Sequence, residues 1–383
     1  MKIAMITETF LPSTDGIVTR LTAVIRWLRK QGHDVLIIAP ESDLHEFEGA
    51  TIAGIPAYRF FLYRSKKLAL PLPRIARLLR QFEPDLVHVV NPAVLGAAGI
   101  LFGKKWPLVA SYHTHIPHYA DHYRVGWMKP VLWWYLRLLH NQAQLNLCTS
   151  DTVMQELHSQ QFHRIKLWQR GVDTERFDPA FQSESMRERL SDGEPDKVLL
   201  LYVGRLAAEK QIERIRDVLE HSDRFRLAIV GDGPHRAALE RYFAGTATIF
   251  TGFLHGDELS EAYASSDIFI FPSTTETLGL VLLEAMAAGL PIVAAQSGPT
   301  LEQVQHRVTG MLYDPKVPES FRELMLELVD ESLRHKLGTA ARQSALQLGW
   351  DGPSQQLLSF YDSLLQQAAE KAMPRNKTSR DSV

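Results

Sequence analysis

The sequence predicts an α/β protein of two doubly wound domains that face each other across a cleft. Three observations predict it. Short apolar segments alternate with helical stretches twice over, once before and once after a polar segment at residues 172–198. The apolar runs are continuous rather than alternating, which marks parallel strands covered on both faces. The length, 383 residues, suits two domains of roughly 100–200 residues each.

Taken in order, KIAMIT (2–7) reads as the first buried strand, followed by a helix near residues 17–31 and by the strand DVLIIAP (34–40). DLVHVV (85–90), LVASYHT (108–114) and LNLCTS (145–150) continue the first sheet. The stretch 172–198 carries the turn residues and polarity of a linker. KVLLLYVG (197–204), RLAIVGDG (226–233), TIFTGF (248–253), DIFIFPS (267–273) and PIVAA (291–295) then build a second sheet, with helical stretches between them. The expected domains are 1–180 and 181–349, with a helix at 350–370 returning to the first. The tail, 374–383, has almost nothing to bury and is expected to be disordered.

Composition narrows the function. A single cysteine, Cys148, excludes an internal disulfide framework and fits a reducing compartment. No apolar run reaches the roughly 18–20 residues of a membrane span, and the N-terminus reads as a strand, so a cytoplasmic protein is expected. Residues 1–190 carry 23 Lys and Arg against 17 Asp and Glu, a balance of +6, whereas the rest carry 19 against 27, a balance of −8. Either this is chance spread over two solvated surfaces, or the first half faces an anionic surface.

Ligands of doubly wound sheets bind beyond the carboxyl ends of the strands, and residues with chemistry cluster there. Gly16, in ETFLPSTDGIVTR, sits at an expected helix start, where a glycine lets a phosphate approach the backbone; a turn glycine needed only for chain geometry is the plainer alternative. GRLAAEK places Arg205 and Lys210 after a strand, a pair able to clamp a diphosphate or simply to face solvent. Neither the dinucleotide nor the P-loop glycine pattern occurs. SYHTHIPHY carries His113, His115 and His118; no further pattern completes a zinc site, so no metal is expected. His113, nearest the strand end, is the candidate donor to a substrate hydroxyl, with His115 and His118 surface or structural.

ETLGLVLLEAMAAGLP (276–291) reads as an apolar helix carrying Glu276 and Glu284. Eight helical residues rise about 12 Å, beyond the roughly 5–9.5 Å of a glycoside-hydrolysing carboxylate pair. The spacing suits two anchors along an extended polar ligand, such as a ribose and a hexose joined by a diphosphate.

With these motifs the sequence resembles the retaining, nucleotide-sugar-dependent glycosyltransferases of family 4, whose fold is GT-B, two Rossmann-like domains. The resemblance spans nearly the whole chain except the tail. It implies that Arg205 and Lys210 hold the leaving diphosphate, that Glu276 lies beside the donor sugar and that Glu284 binds the ribose. It further implies that Thr277, Leu278, Gly279 and Leu280 line sugar and phosphate, that Gly16 faces phosphate, that His113 touches the sugar, and that the backbone near Phe253 reads the base. KLWQRGVDTERFDP (166–179) and RERLSDGEP (187–195) resemble the sulfolipid-forming branch, which puts a sulfonated sugar on diacylglycerol. The lysine expected in the first loop is missing, leaving Arg20 as the nearest cation, and AQSGPTLEQV (295–304) replaces a Gly-Gly pair. Sulfoquinovose, glucuronate and glucose, expected as UDP-linked donors, all stay open.

A lipid acceptor accounts for the basic first half. YRSKKLALPLPRIARLLRQF (63–82) and RVGWMKPVLWWYLRLLH (124–140) read as basic amphipathic helices with aromatics, suited to a membrane interface or to core packing. The expectation is an enzyme peripheral to the inner membrane leaflet, using a nucleotide sugar as co-substrate and no cofactor. Its partners are diacylglycerol or another lipid and an anionic membrane surface, not nucleic acid. A soluble-acceptor enzyme and a non-catalytic nucleotide-sugar-binding module are the alternatives.

Overall fold

The structure, a computed structural model, describes residues 1–60, 63–69, 73–122 and 125–372. The expected tail and parts of the 63–82 and 124–140 stretches lie outside the described residues. The first half forms strands β1 (Lys2–Thr7), β2 (Asp34–Pro40), β3 (Glu46–Phe47), β4 (Ala50–Ile55), β5 (Ala57–Phe60), β6 (Tyr63–Ala69), β7 (Leu86–Val90), β8 (Leu108–Ser111), β9 (Leu145–Cys148) and β10 (Ile165–Leu167). Eight of them make one sheet in the order β10-β9-β8-β7-β1-β2-β4-β3, with β5 and β6 paired apart. The second half supplies β11 (Val198–Val203), β12 (Phe225–Val230), β13 (Thr248–Gly252), β14 (Ile268–Phe271), β15 (Ile292–Ala295) and β16 (Gly310–Tyr313), ordered β13-β12-β11-β14-β15-β16.

Continuous apolar strands are explained by cores on both faces of each sheet. Leu199, Leu201 and Val203 of β11 enter one core, while Leu200 and Tyr202 enter the other. Ile3 and Met5 of β1 divide likewise from Ala4 and Ile6. Helices α1 (Gly16–Lys30), α2 (Arg74–Phe82), α3 (Leu95–Gly103), α4 (Ile116–His122), α5 (Lys129–His140) and α6 (Asp151–Ser159) cover the first sheet. The C-terminal helix, Asp351–Ala372, joins them: Leu357, Tyr361 and Leu364 share a core with Leu21, Val24 and Leu28 of α1.

Several elements differ from the sequence expectation, and three of them bear on the site and its surroundings. Residues 63–69 are a strand, not part of a helix, because β6 finds antiparallel ladder partners in Ala57–Phe60; the helix starts only at Arg74. β16, too short to stand out in sequence, extends the second sheet beyond β15. The expected helix at 276–291 runs only from Leu280 to Ala287, because Gly279 adopts a left-handed φ of 73° and breaks it.

Candidate active site

Strand order reverses once in each sheet, between β1 and β7 and between β11 and β14. Such reversals open the crevice in which ligands of doubly wound sheets sit. The segment after β1 leads to Gly16, the one after β11 holds Arg205 and Lys210, and the one after β14 holds Glu276. The chain thus places Gly16, Arg205, Lys210 and Glu276 after strands of the two switch points, while His113 follows β8 and Phe253 follows β13.

The two switch points also meet. A Cβ added to Gly16 would lie 3.5 Å from Leu280 Cδ1. Gly16 and Leu280 are the first residues of their helices, so two positive helix ends approach each other from opposite domains. Asp15 caps α1, accepting from the N–H groups of Ile17 and Val18 at 3.1 Å each. The helix at Leu280 has neither a side-chain cap nor an acid in its first turn. The segment before it is strapped to the first domain. Thr277 Oγ1 donates to the His113 carbonyl at 2.6 Å, and Thr149 Oγ1 donates to the Thr277 carbonyl at 3.1 Å. Gln303 Nε2 donates to the Leu278 carbonyl and fixes the turn ahead of Gly279.

The cations are held by carboxylates. Arg205 pairs with the fully buried Glu209, and Lys210 pairs with Glu276. Glu276 therefore lies in the loop, four positions ahead of the helix, and the 12 Å helical rise between the two glutamates does not apply. Glu284 sits on the helix, 9% exposed, and accepts a hydrogen bond from Tyr263 at 2.8 Å. Burial raises its pKa above the usual carboxylate value, against the hydrogen bond from Tyr263. Phe253 is exposed beyond β13, its ring stacked near His255.

His113 is nearly buried, and burial holds its imidazole well below the usual pKa, hence neutral. Its Nε2 lies 2.9 Å from Ser111 Oγ. Ser111 Oγ is 2.9 Å from His88 Nε2, and His88 Nδ1 is 2.6 Å from the Tyr361 hydroxyl. A polar chain thus runs from the C-terminal helix to His113, and any hydrogen bond from this ring to a substrate must come from Nδ1.

Arg20 departs from expectation. It is 1% exposed, stacked on Trp168 at 3.9 Å, with Nη2 donating to the carbonyls of Trp168 and Gln169. On α1 it is buried together with Leu21 and Val24, and burial pulls its pKa down to about 9. The difference from expectation is the burial of its guanidinium, which the first-loop position did not suggest. The sequence reading also misses Glu209, Tyr263, Thr149 and Gln303. None of the four leaves a signal in the sequence; each meets its partner through the fold.

Facing Rossmann-like domains, with paired cations and two helix ends at their switch points, define a GT-B glycosyltransferase. The comparisons agree. Residues 14–176 match the family described as Glycosyltransferase Family 4, and residues 184–344 match Glycosyl transferases group 1. The chain belongs to family 4 of the glycosyltransferases. It is 39% identical to a sulfoquinovosyl transferase of Arabidopsis thaliana, over 88% of this chain and 68% of that one. It is 34% identical to a GDP-mannose-dependent alpha-mannosyltransferase of Mycobacterium tuberculosis, over 95% and 97%. It is 28% identical to an alpha-monoglucosyldiacylglycerol synthase of Streptococcus pneumoniae, over 82% and 75%. A sucrose-phosphate synthase from Thermosynechococcus elongatus shares the fold with a TM-score of 0.79 at 19% identity, covering 96% of this chain and 99% of that one.

Proposed function

We propose that this glycosyltransferase moves a hexosyl group from a UDP-linked donor to diacylglycerol at the cytoplasmic membrane face, with retention and without an obligatory metal. The observation that carries the donor side is the approach of two helix N-termini beside Lys210 and Arg205. As the bond from the anomeric carbon to the phosphate oxygen breaks, its electron pair and charge pass to the diphosphate. Helix ends and cations already in position stabilise that charge without reorganising water. Lys210 is paired with Glu276, so the diphosphate and sugar positions adjoin: the lysine turns to phosphate while the glutamate accepts from sugar hydroxyls. Glu284, one turn into the helix, takes the ribose. No side chain at the convergence is an evident nucleophile, and retention rests on the family.

The lipid side is supported by the relatives with glycolipid names and by α5 with the single turn that precedes it, Gly126–Met128. Trp127, Val131, Trp134 and Leu138 are each half or more exposed, at spacings of four, three and four residues, which is one helical stripe. Trp133 and Leu136 turn to the core instead. An apolar stripe of this kind suits a membrane interface. Among the described residues no helix is long and apolar enough to cross a membrane. A GDP-mannose donor is the second reading, favoured by the mycobacterial relative, which matches along 97% of its length.

Vesicle co-sedimentation tests the lipid side. Trp134 and Leu138 each keep about half of their surface in water. Burying the exposed halves in lipid is worth about 1.5–3 kcal/mol together. Trp134→Ser with Leu138→Ser should therefore weaken binding to anionic vesicles about 10- to 150-fold. Wild-type protein remaining in the supernatant at every lipid composition removes the membrane from the proposal.

A further inference from the structure

His115 and His118 flank the start of α4, and α6 brings Glu156 against both. His118 Nε2 lies 2.6 Å from Glu156 Oε1, and His115 Nδ1 lies 3.5 Å from Glu156 Oε2. The three ligand atoms all lie within 4.8 Å of one another. We propose that His115, His118 and Glu156 form a binding site for a zinc-class divalent cation, separate from the diphosphate clamp.

The arrangement fits a cation better than it fits an ion pair alone. One carboxylate faces two imidazole nitrogens, yet only the His118 contact has hydrogen-bond length; at 3.5 Å the His115 contact is long for an N–H···O bond. A cation between them lets all three groups bind through lone pairs. Two nitrogens and one oxygen are a donor set for zinc and its neighbours, not for magnesium or calcium. Zinc at about 2.0–2.2 Å from each ligand sets tetrahedral ligand separations near 3.3 Å. The adjustment needed is a contraction of at most ~1.5 Å, with a lengthening of the 2.6 Å contact between His118 and Glu156, within the reach of side-chain rotation. Glu156 and His118 are about 30% exposed, which leaves an entry path and a coordination position for water.

The position gives the site a consequence. α4 follows β8 and packs against the turn Ala208–Lys210, which carries the Lys210 side of the donor site. α6 follows the neighbouring strand β9. A metal held by both helices ties α4 to the first domain beside the donor site without touching the diphosphate, so the proposal stands apart from the donor and acceptor assigned above.

Metal-stripped full-length protein is dialysed against Zn²⁺, with Mg²⁺ as the control, and thermal unfolding is followed in parallel. The proposal predicts a single tight Zn²⁺ equivalent, a rise in melting temperature with Zn²⁺, and no rise with Mg²⁺. His118→Gln and Glu156→Gln should each weaken Zn²⁺ binding more than about tenfold, because even a partner outside the coordination shell is worth about 10–100-fold. His118 is partly exposed, so its variant should fold like wild type in the absence of metal, and it remains informative if Glu156→Gln is unstable. Tight Zn²⁺ binding retained by folded His118→Gln overturns the proposal, because the other histidines are then the ligands. So does the absence of tight binding in the wild-type protein.

Discussion

Gly16→Ala separates two reasons for a glycine at the start of α1. The fold itself does not require one. The residue has no left-handed φ, and an added Cβ would meet only Leu280, at 3.5 and 3.9 Å, which is ordinary contact. The unliganded variant should therefore unfold at the same temperature or slightly higher, because replacing glycine at a compatible position stabilises by about 0.4–1 kcal/mol. Ligand binding should respond differently. If a phosphate approaches the Gly16 backbone between the two helix ends, the methyl group occupies its path. Overpacking of this kind costs about 1–3 kcal/mol, or about 5- to 150-fold in affinity. Titration calorimetry with UDP and with GDP, beside thermal unfolding of the unliganded protein, reads both effects. Unchanged affinity for both nucleotides refutes phosphate contact at Gly16. A loss of stability without ligand means that packing, not a ligand, selects the glycine.

Two further outcomes follow from buried groups. Glu284→Ala should weaken donor binding by about 1.5–3 kcal/mol, the scale of a hydrogen bond to a charged group; unchanged donor affinity would falsify the ribose assignment. Burial holds His88 and His140 neutral, at pKa values of about 3 and about 4. Their unfolded counterparts titrate near 6.5, so between these values the unfolded chain binds more protons. The stability they contribute is complete above about pH 6.5 and is lost as pH falls toward 4. At about 1.4 kcal/mol per pH unit, each costs about 2 kcal/mol at pH 5. Glu8 and Glu284, whose pKa values burial raises, act in the opposite direction. Imidazole NMR shifts followed from pH 7 to pH 5 isolate the two histidines, and titration of either ring within that range contradicts the buried-neutral assignment.

The parts legible in the sequence were those governed by local pattern. β1 and β11 show as continuous apolar runs because both faces of each strand are buried. Gly16, Arg205, Lys210 and Glu276 show because they follow strands, and strand ends are where such sheets bind. What the pattern does not carry is pairing across the chain. Arg20 reads as an available cation until Trp168, 148 positions away, covers it. His118 and Glu156 are 38 positions apart and meet only through α4 and α6. Gly279 is visible as a glycine, but whether it caps a helix or lies inside one depends on a φ that its neighbours set. β16 and β6 are strands because partners lie beside them, not because their sequences alternate.

The most direct test of the account is transfer of labelled sugar. UDP-sulfoquinovose, UDP-glucuronate, UDP-glucose and GDP-mannose, each labelled in the sugar, are offered in turn with diacylglycerol vesicles and excess EDTA, and the lipid phase is extracted. The account predicts label in an α-linked glycosyl diacylglycerol from a UDP-sugar, with the donor configuration retained and no need for added metal. Lipid labelling from GDP-mannose alone overturns the donor assignment, and lipid labelling only after Mg²⁺ or Mn²⁺ is restored overturns the metal-free mechanism. Label that remains in water-soluble products under every condition contradicts the central claim that this enzyme glycosylates a lipid.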